Sequence, residues 1–144
     1  MDDQNISDIV DQCMVLKTRR AARNVTRRYN SLLKPFGIQS TQASLLAAIK
    51  KGGFESISDL AEKMAVERSA LTRNLRVLRD AGLITSDNEG RGHAHKVALT
   101  KEGLKTLKNV GPLWLKAQKD LREEIGDREW VRAQSALATL GKLA

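Results

Sequence analysis

A chain of 144 residues fits one domain or one compact subunit. It is 41% hydrophobic but only 3% aromatic, so Leu, Ile, Val and Ala must fill its core. No apolar run approaches the ~20 residues that span a bilayer, the start MDDQNISDIVDQ is unlike a signal peptide, and one cysteine forms no internal disulfide; a cytoplasmic protein without membrane attachment is expected. The formal charge of +8 favours a polyanionic partner. That charge is uneven: residues 1–11 hold four acids and no base, and residues 12–54 hold nine Lys or Arg and no acid.

In chain order, Ser7 is positioned to cap a first helix running to about Lys34, where Pro35 stops it. Its length exceeds what a domain of this size can bury, so part of it should meet another chain. Arg19, Arg23 and Arg27 form a stripe at spacing four, with Arg20 and Arg28 alongside. Such a stripe is a solvated face, a face paired with acids such as Asp120, Glu123 and Glu124, a phosphate rail, or the wall of an anion-binding cleft. Thr41 starts a second helix with Leu45, Leu46 and Ile49 inward. Ser58 is placed to cap a third, with Leu60, Ala61 and Met64 inward and Asp59 and Glu62 near its positive end.

The stretch Val66–Leu99 organises the chain. Leu71, Leu75 and Leu78 share one helical face, with Ala70 and Val77 beside it. Arg68, Ser69, Thr72, Arg73 and Arg76 fall largely on the other, and Gly82 suits a left-handed cap. Alone this is an amphipathic surface helix with solvated arginines, or a helix shaped for a DNA major groove, where Arg pairs bidentately with guanine. The continuation favours the groove. Leu83-Ile84-Thr85 and His95–Leu99 are β-prone, and the turn cluster Asp87–Gly92 joins them as a wing with Arg91 at its tip.

Thr100 caps the next helix, Gly111-Pro112 predicts a kink or short break in it, and Gly126 ends it. Asp127 is placed to cap a final helix. Trp114 and Trp130 read as dimer-core packing. The terminal helices lack cover within one winged domain and suit a two-fold dimer. The expected fold is mainly α with a small β-hairpin wing: a winged helix-turn-helix plus a helical dimerisation part. Residues 1–36 and 101–144 would dimerise and 37–100 would bind DNA.

In this order the chain resembles the MarR family of winged-helix regulators. The carrying residues are Arg23–Tyr29, Leu33–Ile38 with Gln42, Ser58–Ala61, Val66–Arg73 with Leu78, Ala81–Ile84, and Leu99–Gly103. The resemblance implies a homodimer that binds double-stranded DNA at a pseudopalindromic operator, most often as a repressor. It implies release when a small aromatic or anionic effector binds between the dimer and wing parts, and some relatives are redox-controlled. It places Arg68, Ser69, Thr72, Arg73 and Arg76 on the groove-facing helix and Arg91 at the wing. One departure stands out: where the family carries an Asp-Arg-Arg-like run, this wing reads Arg91-Gly92-His93, without the bracing acid.

Ser58 near a helix start and His93 on the wing complete the expected DNA-binding set. His93 and His95 are two apart, as metal ligands can be, but no third ligand is placed beside them, so no metal or other cofactor is expected. Cys13 is a redox sensor, by the resemblance to hydroperoxide-sensing members, or plain core. No nucleophile–base pair or two-carboxylate set points to an enzyme. The competing reading is a winged-helix architectural or protein-interaction module without operator choice.

Overall fold

The computed structural model describes residues 1–86 and 96–143. Among them are helices α1 (Asp3–Gln12), α2 (Met14–Leu33), α3 (Ser40–Lys51), α4 (Ile57–Lys63), α5 (Arg68–Asp80), α6 (Lys101–Ile125) and α7 (Asp127–Leu140). Strands β1 (Ile84–Ser86) and β2 (Val97–Leu99) lie between α5 and α6 and pair antiparallel, Ile84 opposite Leu99 and Ser86 opposite Val97. This is the expected mainly α fold with a small β wing. No described helix is long and apolar enough to cross a membrane.

The core forms where α3, α4 and α5 meet. Leu45, Leu46, Leu60, Leu71 and Leu78 are fully buried there, joined by Leu33, Ile38, Ile84 and Val110. Cutting one such leucine to alanine costs about 2–5 kcal/mol, since transfer energy is lost and a cavity remains. Helix α3 is central: it touches α2, α6 and β2, so the ends of the chain and the wing converge on it.

Helix starts depart from expectation. The first long helix is two, α1 and α2, separated by Cys13 in extended geometry (φ −61°, ψ 118°). Asp2 caps α1 by accepting from the Asn5 amide at 2.8 Å, while Ser7 lies inside it and donates its hydroxyl to Asp11. Ser58 does not cap α4; Ser56 does, accepting from the Asp59 amide at 3.0 Å. The Asp59 carboxylate in turn accepts from the Glu55 amide, so the Ser56–Asp59 pair satisfies two amides and outcompetes Ser58. Helix α3 starts one residue early, at Ser40, whose amide donates to the Asn30 side chain of α2 at 2.7 Å.

The short break expected in α6 is absent, and so is the cap expected at α7. Helix α6 runs unbroken through Pro112. Proline removes one backbone donor, but Lys108 and Pro112 are both exposed, so water can serve the carbonyl left without a partner. Asp127 does not cap α7: its carboxylate instead accepts from Arg122 Nε at 2.7 Å, and Gly126, at φ +87°, occupies the cap position.

Helices α2 and α6 are tied by polar contacts. The Tyr29 hydroxyl donates to the Gln118 side-chain oxygen, and Arg28 pairs with Glu124. Burial pushes the Tyr29 phenol above its ordinary range. Helices α1 and α7 bury no residue: Ile6, Ile9, Val10, Val131 and Leu137 are each at least half exposed.

Candidate nucleic-acid interface

The candidate interface consists of two short helices and the strand pair. Helix α4 ends where the Val66 amide donates to the Ala61 carbonyl and the Ala65 amide to that of Glu62. This Schellman closure needs a left-handed residue, and Ala65 supplies it at φ +53°, at a steric cost glycine would avoid. The chain then reverses through Val66 and Glu67 into α5, giving a helix-turn-helix.

Helix α5 ends in the same way. The Leu83 amide donates to the Leu78 carbonyl at 2.9 Å and the Gly82 amide to Arg79, with Gly82 at φ +74°. That closure sends the chain directly into β1. Across the wing, Thr100 links the end of β2 to the same corner: its amide donates to the Leu83 carbonyl at 3.0 Å and its hydroxyl to that of Gly82 at 2.6 Å. The Thr100 hydroxyl also caps α6, accepting from the Gly103 amide, so helix, wing and α6 meet at one point.

Leu71, Leu75 and Leu78 are buried on one side of α5, as their spacing requires. Arg68, Ser69, Thr72, Arg73 and Arg76 are all exposed on the other. Val77, expected beside the buried face, is 49% exposed. Arg68, Arg73 and Arg76 are exposed, and none makes an ion pair with an acid among the described residues. The Thr72 hydroxyl donates back to the Arg68 carbonyl at 2.9 Å, leaving its oxygen able to accept.

Arg68, Thr72, Arg76 and Arg79 rim a cleft of about 380 Å³ between α5 and the strands, with Ile57, Leu75 and Val97 also lining it. Arg79 was not among the residues singled out from sequence. It donates to the Ser86 hydroxyl at 2.8 Å and so fixes β1 against α5. Its i+3 position after Arg76 was visible, but its partner lies across the strand. Ser58 is exposed in the first turn of α4. Arg91 and His93 lie outside the described residues. Cys13 is half-buried between α1 and α2, in a different part of the fold.

An exposed basic helix within a helix-turn-helix, followed by an antiparallel strand pair, defines a winged-helix DNA-binding protein. Residues 38–87 match a helix-turn-helix domain family. The uncharacterized HTH-type transcriptional regulator YwoH of Bacillus subtilis is 26% identical over 121 residues, 83% of this chain and 88% of that protein. The M. tuberculosis transcriptional regulator MosR is 36% identical, with a TM-score of 0.80 over 92% of this chain and 95% of its own. MosR has also been solved in complex with DNA, at the same TM-score. The repressor CouR, solved bound to p-coumaroyl-CoA, shares the fold at 20% identity, with a TM-score of 0.80 over 94% of this chain and 96% of its own. The chain belongs to the MarR family of winged-helix transcriptional regulators; it is a DNA-binding transcriptional regulator.

Proposed function

We propose that the protein is a homodimeric repressor that binds a pseudopalindromic operator. Helix α5 enters the major groove, where Arg68, Ser69, Thr72, Arg73 and Arg76 meet base edges and phosphates. Ser58 on α4, and Arg91 and His93 on the wing, contact the backbone or the minor groove. The observation that carries this reading is the exposed α5 face, three arginines of which have no acidic partner among the described residues.

Dimerisation through residues 1–36 and 101–144 rests on the apolar surface those helices leave uncovered. Ile9, Val10, Val15, Leu115, Val131 and Leu137 are each more than half exposed. An apolar surface of that extent on a soluble protein marks an interface. The winged part, residues 37–100, would then be presented twice, as a two-fold operator requires.

Release by a small aromatic or anionic effector is supported by an apolar cavity of about 420 Å³ between α3 and α6. It is lined by Ala43, Ser44, Ala47, Leu107, Val110, Gly111 and Trp114. A ligand there would touch both the helix at the centre of the DNA-binding part and a helix of the dimer part. By population shift it would favour spacings of the two α5 helices that no longer match successive grooves. Oxidation is a second route, favoured by the position of Cys13 at the α1–α2 break, where a change in the thiol would alter how the two helices join.

The test is fluorescence anisotropy on DNA from upstream of the protein's own gene against a scrambled duplex of equal length. Preferential binding to the upstream DNA, saturating at one dimer per site, is expected. Equal binding to both, lost together with salt, would favour an architectural role instead. Repeating the titration with mild peroxide on native protein and Cys13→Ser separates the oxidative route.

A further inference from the structure

Helix α2 carries four exposed arginines, Arg19, Arg20, Arg23 and Arg27, none of them in an ion pair with an acid among the described residues. No acid stands among residues 12–54. Helix α6 packs along α2, but its acids are engaged already: Glu124 with Arg28, Asp120 with Lys116 and Glu123 with Lys119. On α1, Asp8 accepts from Gln4 and Gln12, and Asp11 from Ser7.

The four arginines stand across α2 from its apolar side. At about 100° per residue, the centre of the row lies roughly opposite Tyr29 and Leu32, and Tyr29 reaches Gln118 of α6. Met14 and Val25, apolar and exposed, fall on the Tyr29 side. A dimer that buries the apolar side of α2 therefore leaves the arginines in solvent. Leu16 is the single large apolar residue among them.

The row is also remote from the groove-facing side of α5. A cleft of about 220 Å³ is lined by Thr26 of α2 and by Leu71 and Asn74 of α5. Leu71 belongs to the buried side of α5, and Asn74 stands roughly 160° round the helix from Thr72 and Arg76. Helix α2 thus approaches α5 from behind, and the body of α5 separates it from any duplex seated on Arg68, Thr72 and Arg76.

Charge without apolar surface selects the occupant. A protein interface needs an apolar core, and a bilayer surface needs an apolar helix face to bury; Leu16 alone supplies neither. A phosphate backbone needs cations only. Arg19 to Arg27 span about 12 Å at 1.5 Å per residue, a length over which a duplex presents about seven phosphate charges. We propose that this face binds the phosphate backbone of a second DNA duplex, whatever its sequence, while α5 holds the operator. The protein then bridges two DNA segments. The bridge rests on the reading of α5 above; the second site does not.

The test is energy transfer between a donor on duplex from upstream of the protein's own gene and an acceptor on an unrelated duplex, with native protein at one dimer per upstream duplex. Transfer is expected, and affinity for the second duplex should fall roughly a hundredfold between ~50 and ~200 mM salt, as four neutralised phosphates require. A variant with Arg19→Gln, Arg20→Gln, Arg23→Gln and Arg27→Gln is expected to lose that affinity at least about tenfold. Its affinity for the upstream duplex by anisotropy and its mass by sedimentation should match the native protein. Lysine at the same four positions should retain the bridge. The pair Arg19→Gln with Arg23→Gln covers failure of the fourfold variant to fold.

Native protein that prefers the upstream DNA and gives no transfer would overturn the inference alone, as would equal transfer by the glutamine variant. A glutamine variant that no longer dimerises would assign the arginines to the dimer contact and equally overturn it. Displacement of the second duplex by polyglutamate but not by unlabelled duplex would make the occupant an acidic polypeptide, with the same consequence. Equal native affinity for upstream and scrambled duplexes would sink the operator reading instead, and the glutamine comparison would still decide the second site.

Discussion

Gly103, in the first turn of α6, presses against the carbonyl of Leu83, in the turn between α5 and β1. A Cβ built on Gly103 would overlap the Leu83 oxygen and stand 2.9 Å from its carbonyl carbon. That carbonyl also accepts from the Thr100 amide, so it is held from one side and crowded from the other. The corner where α5, the wing and α6 meet therefore admits no side chain at position 103. Gly103→Ala is expected to destabilise the protein by about 2–4 kcal/mol, because backbone on both sides must shift. Chemical denaturation measures it; a loss below 0.5 kcal/mol would show that the corner yields freely.

The opposite substitution is favourable at the helix-turn-helix turn. Ala65 holds φ +53° to close α4, a conformation in which its Cβ is crowded. Ala65→Gly is expected to stabilise by about 0.5–1 kcal/mol, the relief of strain outweighing the added freedom of the unfolded chain. Thermal melting checks it, with a raised midpoint as the outcome.

These two corners show what the sequence made legible. Gly82 announced its left-handed cap because glycine is the residue such a cap selects, and Leu71, Leu75 and Leu78 announced the buried face through spacing. Ala65 performs the same closure without glycine, so no residue signalled it. The break at Cys13 was equally silent: no proline or glycine marks it. Pro112 marks no break, since exposure makes its missing hydrogen bond tolerable. Arg79–Ser86 was hidden because its partners belong to different elements, whereas the α5 face was readable because it lies within one.

The α2–α6 tie should be sensitive to pH. The Tyr29 phenol donates to Gln118, and burial raises its pKa above the usual value near 10. A raised folded-state value means the neutral phenol is favoured in the fold. Its contribution is complete below the unfolded pKa and is lost as pH climbs through the folded one. Tyr29→Phe is expected to cost about 1 kcal/mol at neutral pH and to flatten the alkaline fall in stability. Denaturation curves between neutral pH and strongly alkaline pH measure both.

The apolar cavity between α3 and α6 gives a separable prediction. Ala47→Phe should fill it while leaving α5 untouched. Benzoate, as a simple aromatic anion, is expected to raise the melting midpoint of the native protein and not of the variant, while the variant binds DNA as tightly as native. An equal benzoate effect on both proteins would move the effector site elsewhere.

The central claim is that α5 reads bases. The most direct measurement is binding of native protein, Arg73→Ala and Arg76→Ala to an operator panel in which each base pair is changed in turn. At least one variant is expected to lose affinity by about 1–3 kcal/mol and to become indifferent to one defined base pair. Uniform weakening across every duplex, with only a shallower salt dependence, would reduce these arginines to phosphate contacts and contradict it.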